Sequence, residues 1–487
     1  MIKKYLTILL LGAAMASCTD SVMDDINKDT ANPASDVVNA KFQVTNAIMG
    51  TCFHTLSGDY SFYASSYTEQ EFGTGNNQLK NAELRDRNET AASTTFNNVW
   101  NATYGTLMNV KQMLDKCQEG GVNAGQTDVR GIAQVLWVIN FQTLTDMHGD
   151  IPYSEALVAD QPKLDSQESI YADLQKRIDE AISDLGAAVE KKENHCGSQD
   201  ILFNGSAQKW LGLAYAVKAR LLLNTAYRNP GVYKDVIAAG EKALEEGFDG
   251  ASLAVFNGVD CDNPWAAYNW SRYYAGANGT LYDIMASRED PRLDLYAADI
   301  FETGVLYAPA GDATLAGMTE TVGYPYWLDN GAATVDVVGL QELHFILAEA
   351  KVRLGQDASA DFAKAVQASF DDWSLSCGED LGSADDYLAT LQPSFEEIMA
   401  QKYIAQARDQ QVQTYNDIRR LKAEGNEVVK LRNPNNTSGG ANQWPLRLPY
   451  GNSDVVSNPN VAEAFGYGNA SGAYLFTENI WLFGGSK

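Results

Sequence analysis

The sequence predicts a mainly α-helical protein built from paired helices, interrupted by one long irregular region. Apolar residues recur at spacings of three and four along several segments, which is the pattern of one buried helix face. Short turns rich in glycine and proline separate these segments. Alanines recur where facing helices would approach closely. Together these features favour tetratricopeptide-like helix pairs that stack side by side.

The helical periodicity extends over most of the chain. The predicted helices cover 93–117, 132–147, 170–185, 207–227, 233–246, 339–354, about 360–373, and 395–421. Gly149 and Pro152 end the second of these helices, because glycine and proline punctuate helical segments. Pro393-Ser394 is a cap signal for the last one, which is predicted to be a single long amphipathic helix. No strict repeat period is present, so any repeats are degenerate.

Residues 248–337 have a different composition, rich in glycine, asparagine, aspartate and aromatic residues. The C-terminal segment 433–487 is similar. Long irregular segments in compact proteins are usually functional or disordered. The aromatic content argues against disorder, so these segments are expected to be ordered loops that carry a site.

The N-terminus has the pattern of a secretory signal peptide over residues 1–17, with a basic start, a short apolar run and small residues before the cleavage site. The apolar run is shorter than the about 20 residues that cross a bilayer. Cys18 follows Ala-Ser, which resembles the lipobox of bacterial lipoproteins, where the freed cysteine carries lipid. An ordinary signal peptide is the alternative. Residues 18–35 are then a flexible acidic tether, and 36–487 are the folded body.

The charge balance excludes some partners. The chain has 63 acidic and 36 basic residues, and removal of residues 1–17 takes away only Lys3 and Lys4, which leaves a formal charge of −29. Such a chain repels phosphate backbones and anionic lipid headgroups, so we expect no nucleic-acid partner. No second apolar stretch approaches spanning length, so the lipid on Cys18 would be the only membrane anchor.

No catalytic or metal-binding motif is recognisable, and no cofactor is expected. The four histidines lack ligand spacing, and His344 is expected to be a core residue because apolar residues flank it. The cysteines after Cys18 have neither zinc-site nor disulfide-framework spacing, and we expect them to be buried small hydrophobic residues. Oxygen ligands in Asp260-Cys261-Asp262-Asn263 leave a structural calcium site open, although the twelve-residue loop pattern is absent.

An aromatic cluster at 265–274 is the strongest candidate for a ligand site. Flat aromatic faces stack on the apolar faces of sugar rings, and neighbouring polar groups bind hydroxyls. A second aromatic stretch, from Tyr60 to Phe72, ends in two asparagines. The predicted ligand-binding residues are Asn76, Asn77, Trp265, Asn269, Trp270, Arg272, Tyr273 and Tyr274. The alternative is that these aromatic side chains pack irregular loops onto helices.

Acidic pairs leave a glycosidase as a rival interpretation. Asp371-Asp372 and Asp385-Asp386 resemble a catalytic dyad, but a chain with 63 acidic residues contains such pairs by chance. A solvated face explains them better, and we expect no enzyme.

Several ordered segments resemble one family, the SusD/RagB-like lipoproteins. The segments are Asp146–Ala156 (DMHGDIPYSEA), the helix from Trp210 to Leu223, Glu342–Ala350 (ELHFILAEA), Gln401–Ala405, Tyr415–Arg420, and Arg447–Tyr450 with Asn458–Asn460. They are collinear from about residue 93 to 460, and Asp454 stands where the family pattern carries glutamate. We expect Asp146, Asp150 and Arg220 in these motifs to be structural.

The resemblance implies a right-handed superhelical scaffold of tetratricopeptide-like pairs with long irregular ligand-binding loops. It also implies a lipid-anchored protein on the cell surface at the outer membrane, and a partner, a SusC-like TonB-dependent transporter, over which the lipoprotein sits as a lid. The expected ligand is an oligosaccharide. Three alternatives remain open: a peptide ligand on the same scaffold, an exported glycosidase, and a structural lid whose loops bind only the barrel.

Overall fold

The computed structural model describes residues 37–75, 77–270, 272–466 and 472–486. The predicted signal peptide, the predicted lipidation site Cys18, the predicted acidic tether and Asn76 lie outside the described residues. Within the described part, the chain is mainly helical, as the sequence predicts.

The helices before the irregular region carry most of the predicted periodicity. They are α1 (Lys41–Gly50), α2 (Asp59–Tyr67), α3 (Gln78–Glu83), α4 (Arg87–Ala91), α5 (Asn97–Lys116), α6 (Thr127–His148), α7 (Gln167–Lys191), α8 (Ala207–Asn224) and α9 (Tyr233–Glu245). A π-helical segment, Thr51–Leu56, continues α1.

The irregular region contains short helices, and longer ones follow it. They are α10 (Pro264–Asn269), α11 (Gly279–Ala286), α12 (Leu293–Tyr296), α13 (Ala313–Ala316), α14 (Leu340–Arg353), α15 (Ser359–Cys377), α16 (Asp385–Leu388), α17 (Phe395–Ala405), α18 (Gln411–Ala423), α19 (Asn452–Ser457) and α20 (Pro459–Phe465). Short 3₁₀ segments are Gly197–Gln199, Tyr326–Leu328, Pro434–Gly440, Ala473–Phe476 and Trp481–Phe483.

Three short antiparallel ribbons connect distant parts of the described chain. The strands are β1 (Glu71–Gly73), β2 (Ile151–Pro152), β3 (Leu164–Asp165), β4 (Ala251–Leu253), β5 (Ala275–Ala277) and β6 (Val335–Val338). β4 pairs with β6, with Ala251 opposite Val338, so this ribbon closes the base of the irregular region. β1 pairs with β5 and joins the N-terminal part to the irregular region.

Neighbouring helices pack in sequence order from α5 to α9, and α9 then packs directly against α14. The irregular region, 248–337, therefore projects from the stack between two helices that are in contact. Gly240 of α9 permits this contact, since a Cβ atom there would lie 2.7 Å from Cδ2 of Leu347. The stack confirms the predicted small-residue seams between paired helices.

The prediction of one long helix over 395–421 is wrong. The segment forms α17 and α18, and the chain between them turns into the core. There, Arg408 donates to the Thr334 carbonyl at 3.0 Å and to Asp336 Oδ2 at 2.7 Å. These bonds satisfy buried polar groups of β6, and their formation outweighs continuation of the helix. The predicted start at Ser394 is confirmed, because its side chain accepts from Glu397 N at 3.2 Å.

The cysteines and His344 pack the interior. Cys52, Cys117 and Cys196 are buried, Cys261 and Cys377 are half-buried, and all five are free. His344 is 4% exposed, and its Nδ1 lies 3.0 Å from Asp361 Oδ1. The prediction of a core residue is confirmed for His344 and for Cys52, Cys117 and Cys196, whereas Cys261 and Cys377 are only partly buried.

Candidate functional site

The ribbon of β1 and β5 brings the two predicted aromatic clusters together. Gly73 lies opposite Ala275, so the residues that follow β1 lie beside those that precede β5. Beyond the ribbon, Thr74 N donates to the Tyr274 carbonyl at 2.9 Å. Thr74 Oγ1 also donates to the Tyr273 carbonyl. Two segments about 200 residues apart in sequence are thereby fixed side by side.

Asn77 connects the two segments through its side chain. Its Oδ1 accepts from Leu79 N at 2.8 Å, which caps α3, and also lies 3.3 Å from the Tyr268 hydroxyl, which donates to it. Its Nδ2 donates to the Thr74 carbonyl at 2.6 Å. Asn77 therefore holds the loop in place and remains partly exposed for other contacts.

Two tryptophans five residues apart have opposite environments. Trp265 is 2% exposed, and its ring packs edge-on against Phe62 with centroids 4.6 Å apart. Trp270 is 74% exposed and follows the last residue of α10. The expectation that Trp265 offers a stacking face is therefore corrected: Trp265 is a core residue, because α10 turns it inward. Only Trp270 presents its ring to solvent.

Asn269 and Tyr273 shape the loop around Trp270. Asn269 is fully buried, donates to the Tyr324 hydroxyl, and accepts from Tyr274 N at 2.7 Å. Tyr273 is half-buried between Phe301 and Tyr324, with ring centroids 4.9 and 5.5 Å away. Its φ of +50° is uncommon for a bulky residue. Backbone strain of this kind persists only where surrounding contacts enforce it, and it often accompanies functional loops.

The accessible side chains form one surface, named here the aromatic platform: Asn77, Tyr268, Trp270, Arg272 and Tyr274. The Tyr268 and Tyr274 rings lie 5.5 Å apart, and the Arg272 guanidinium lies 5.8 Å from the Tyr274 ring. Aromatic faces beside a guanidinium and an amide suit a ligand with apolar faces and hydroxyl edges. The structure therefore brings together Asn77, Trp270, Arg272 and Tyr274 of the predicted set.

Met318 borders the platform, although its sequence context contains no signal for this. Its carbonyl accepts from Gly75 N at 3.0 Å, and its side chain is 45% exposed. Gly75 has a φ of +72°, and a Cβ atom there would lie 3.3 Å from the Tyr274 ring and 2.9 Å from Thr319. Glycine is needed at this position because both the backbone conformation and the space exclude a side chain.

The residues of the family motifs make structural contacts within the scaffold, as expected. Asp146 is buried and accepts from the Tyr171 hydroxyl at 2.5 Å and from Asn416 Nδ2 at 2.8 Å. Burial raises its pKa to about 6. Asp150 Oδ1 accepts from Gln167 N at 2.9 Å, at the start of α7. These contacts connect helices that are distant in sequence and leave no role at the platform.

The two acidic pairs differ in environment. Asp385 and Asp386 are exposed, in agreement with a solvated face. Asp372 is not solvated: its carboxylate accepts from Arg408 at 2.6 and 2.7 Å, and burial raises its pKa to about 7. The prediction that Asp372 lies on a solvated face is therefore wrong, because its carboxylate pairs with a buried guanidinium.

Asp128, Glu193 and His195 are the group of potential metal ligands within the described residues. Glu193 Oε2 accepts from Thr127 N at 2.8 Å and from Asp128 N at 3.1 Å, so it caps α6. Asp128 Oδ1 lies 2.8 Å from His195 Nδ1. The carboxylates already serve the helix N-terminus, which explains the cluster without an ion.

The protein is a scaffold of paired helices. Loops inserted between these helices carry the aromatic platform, and this combination defines the class of protein. A SusD-like family model, described as starch-binding and associating with the outer membrane, matches residues 30–450. The chain therefore belongs to the SusD/RagB family, which confirms the resemblance in its motifs. Among the described residues, no helix has the length and apolarity needed to cross a membrane.

Solved structures support this assignment. A SusD/RagB family protein from Bacteroides thetaiotaomicron VPI-5482 is 33% identical, with a TM-score of 0.82 over 92% of this chain and 100% of that one. A SusD homolog from Bacteroides fragilis NCTC 9343 is 19% identical, with a TM-score of 0.69 over 92% and 100%. A chitin-binding SusD homolog from Flavobacterium johnsoniae is 18% identical, with a TM-score of 0.71 over 91% and 98%. The latter two share the fold. No curated protein matches the chain.

Proposed function

We propose that this protein is a cell-surface lipoprotein that binds an oligosaccharide and delivers it to a SusC-like TonB-dependent outer-membrane transporter. The observation that carries the proposal is the exposed ring of Trp270, in the same loop as Arg272, whose guanidinium lies over the Tyr274 ring. The family description as starch-binding and the chitin-binding relative support a glycan ligand. The protein would bind its ligand without making or breaking a bond.

The chemistry of the platform favours a neutral glycan. A pyranose ring stacked on Trp270 would bury apolar C–H groups against the indole, a contact that contributes about 1–2 kcal/mol. Arg272 and Asn77 supply hydrogen-bond donors for hydroxyl groups at the edges of the ring. The chain has a net charge of −27, which disfavours polyanionic ligands. A protein that releases its ligand to a transporter needs modest affinity, on the order of micromolar to millimolar.

The ligand class is tested by isothermal titration of the purified chain with starch-derived and chitin-derived oligosaccharides and with a peptide pool. We expect heat with at least one oligosaccharide and a Kd about 5–30-fold weaker for Trp270→Ala, which corresponds to the loss of about 1–2 kcal/mol. Phe42→Ala is the matched control, because Phe42 is an aromatic side chain 59% exposed on α1. Heat with peptides alone, or equal affinity of Trp270→Ala and wild type, contradicts the glycan proposal.

Delivery is tested separately. The full chain, tagged at its C-terminus and isolated from native outer membranes in mild detergent, is expected to co-purify with a TonB-dependent barrel. Deletion of that barrel should stop uptake of the oligosaccharide while the lipoprotein still binds it. Uptake that continues without the barrel would refute the delivery step and leave glycan binding intact.

A further inference from the structure

A second concave site lies over the start and middle of α18, away from the aromatic platform. Its cavity has a volume of about 360 Å³, within the range of about 300–1,000 Å³ that small-molecule pockets occupy. Tyr403, Thr414 and Ile418 form part of its floor, and Trp444 closes one side. The loop 427–442 supplies the opposite wall. No residue of the platform lines this cavity.

The wall of the cavity is held to the core by Glu69 and Glu83, both buried. Asn433 N donates to Glu69 Oε1 at 2.9 Å, and Asn433 Nδ2 donates to the backbone carbonyl of Glu83 at 2.7 Å and to its Oε1 at 3.2 Å. Glu83 Oε1 also accepts from Gly311 N at 2.6 Å, which ties the same residue to the irregular region. Since these bonds already exist without a ligand, the cavity is pre-formed and binding requires little ordering of the loop.

The charges around the cavity balance. Asp417 at the floor faces Lys402 Nζ at 2.7 Å and Arg420 at 2.8 Å. At the mouth, Lys422 Nζ lies 3.6 Å from Glu427 Oε1. Arg432, which also lines the cavity, pairs with Asp283. The pair of Lys422 and Glu427 is exposed, but an ionic ligand at the floor would have to displace a partner of Asp417, and removal of one partner from a buried ion pair is costly. The cavity therefore favours an uncharged ligand.

The floor is polar beneath a buried aromatic wall. Trp444 is 1% exposed, and its Nε1 donates to the Tyr67 carbonyl at 2.8 Å, so it closes the cavity without offering a stacking face. Thr414 Oγ1 donates to Gln406 Oε1 at 3.0 Å. Gln406 is 1% exposed, and its Nε2 has no hydrogen-bond partner among the described residues. A buried amide without a partner is unfavourable, and a hydrogen-bond acceptor on a ligand or a water molecule would relieve this cost.

We infer that this cavity is a second binding site, which takes a neutral hydroxyl-bearing ring of one or two sugar units. Its size excludes a long chain, its paired charges favour a neutral molecule, and its buried amide and hydroxyl groups suit the hydroxyls of a sugar ring. The chemical class rests on the proposed function; the existence of a site separate from the platform does not. The end of an oligosaccharide bound in the cavity and a longer oligosaccharide segment bound on the platform would be two independent contacts.

The test uses glucose, maltose, N-acetylglucosamine and N,N′-diacetylchitobiose as probes, with hydrogen exchange of residues 427–444 as the readout. At least one probe is expected to protect this segment in the wild type and in Trp270→Ala. Thr437→Trp, which places a large ring at the exposed mouth, is expected to weaken that protection at least tenfold. Ser438→Trp, the same change at the next exposed position, is the matched control and should retain protection.

Three outcomes overturn the inference: no probe protects the segment, Thr437→Trp protects as well as the wild type, or Trp270→Ala abolishes protection. A second mouth variant, Glu427→Trp, repeats the test from the other end of the same loop, and circular dichroism confirms that each variant is folded. Loss of long-oligosaccharide binding in Trp270→Ala with retained protection of 427–444 supports both sites. If Trp270→Ala binds oligosaccharides as the wild type does and Thr437→Trp loses protection, the platform is not the binding site and the cavity proposal stands.

Discussion

Arg220 and Glu342 form a buried bidentate ion pair across 122 residues of sequence, with Nε–Oε1 at 2.6 Å and an NH2–Oε2 distance of 2.5 Å. The pair joins α8 to α14, the helix at which the irregular region returns to the stack. Arg220 also donates to the Val337 carbonyl at 2.7 Å, beside the β4–β6 ribbon. The irregular region, which carries most of the platform, therefore projects from a base that the buried ion pair of Arg220 and Glu342 stabilises.

Replacing Glu342 with leucine should destabilise the fold strongly. The change leaves Arg220 buried without its carboxylate, at a cost of about 3–5 kcal/mol. The double variant Arg220→Met/Glu342→Leu should be nearer to wild type, because well-packed apolar residues can replace a buried pair. Urea unfolding measures both. A single variant as stable as wild type would show that water reaches the pair.

Trp265→Ala and Trp270→Ala should separate stability from binding. Loss of a buried tryptophan costs about 3–5 kcal/mol, whereas substitution of an exposed residue usually changes stability by about 0.5 kcal/mol or less. Thermal and urea unfolding of the two variants provide the measurement. Equal destabilisation by both substitutions would mean that Trp270 packs against the protein in solution and cannot be a free stacking face.

His148 should make the fold sensitive to acid. Burial lowers its pKa to about 3. Its Nδ1 lies 3.3 Å from the Leu448 carbonyl, which can only accept, so Nδ1 carries the proton and Nε2 accepts from the Tyr60 hydroxyl at 2.7 Å. Between pH about 6.5 and 3 the unfolded chain binds the extra proton, so stability falls with acid by up to about 1.4 kcal/mol per pH unit. His148→Gln should lack this component in urea titrations across that range.

Glu83 should make the folded protein less stable as the pH rises, which is the opposite of the effect of His148. Burial raises its pKa from 4.5 to about 7. The folded protein then holds a proton that the unfolded chain releases, so the contribution of Glu83 to stability is lost as pH rises from about 4.5 through 7. Glu83→Gln stays neutral and should show a flatter stability profile over that window than wild type. A steeper fall in the variant would show that Glu83 is ionised in the native state.

Cys18→Ala should release the protein from the membrane. A lipidated cysteine would be the anchor, and no described helix has the length and apolarity to replace it. Fractionation of cells that express the variant is expected to shift the protein out of the membrane fraction, and labelling with a fatty-acid analogue should disappear. Membrane retention without label would point to an ordinary signal peptide and a protein anchor.

Local patterns predicted the helices well because each depends on one apolar face. The segments near 93–117 and 207–227 form α5 and α8 with small shifts at their ends. The predicted helix 395–421 failed for a non-local reason: Arg408 and its neighbours turn inward to reach β6 and α15. A long-range requirement for buried hydrogen bonds has no signal in the periodicity of the segment itself.

The same limit applies to the candidate site. Composition identified the aromatic region, and position in the chain brought Asn77 into the prediction. The packing of the short helix α10 against Phe62 decides which tryptophan faces solvent. The prediction that Trp265 binds ligand failed because this packing buries its ring. Met318 reaches the platform through Gly75, far away in sequence, and the cavity beside Trp444 depends on how the loop 427–442 folds over α17 and α18, so no local pattern could have indicated them.

By itself, the sequence determined the helical class, the family and the candidate region, because these follow from periodicity, ordered motifs and composition. Only the tertiary structure decided which side chains are accessible. Pairing of β1 with β5 places Asn77 beside Tyr274, and burial separates Trp265 from Trp270. The physical reason is that exposure is a property of contacts between distant segments, whereas helix formation and motif identity are properties of neighbouring residues.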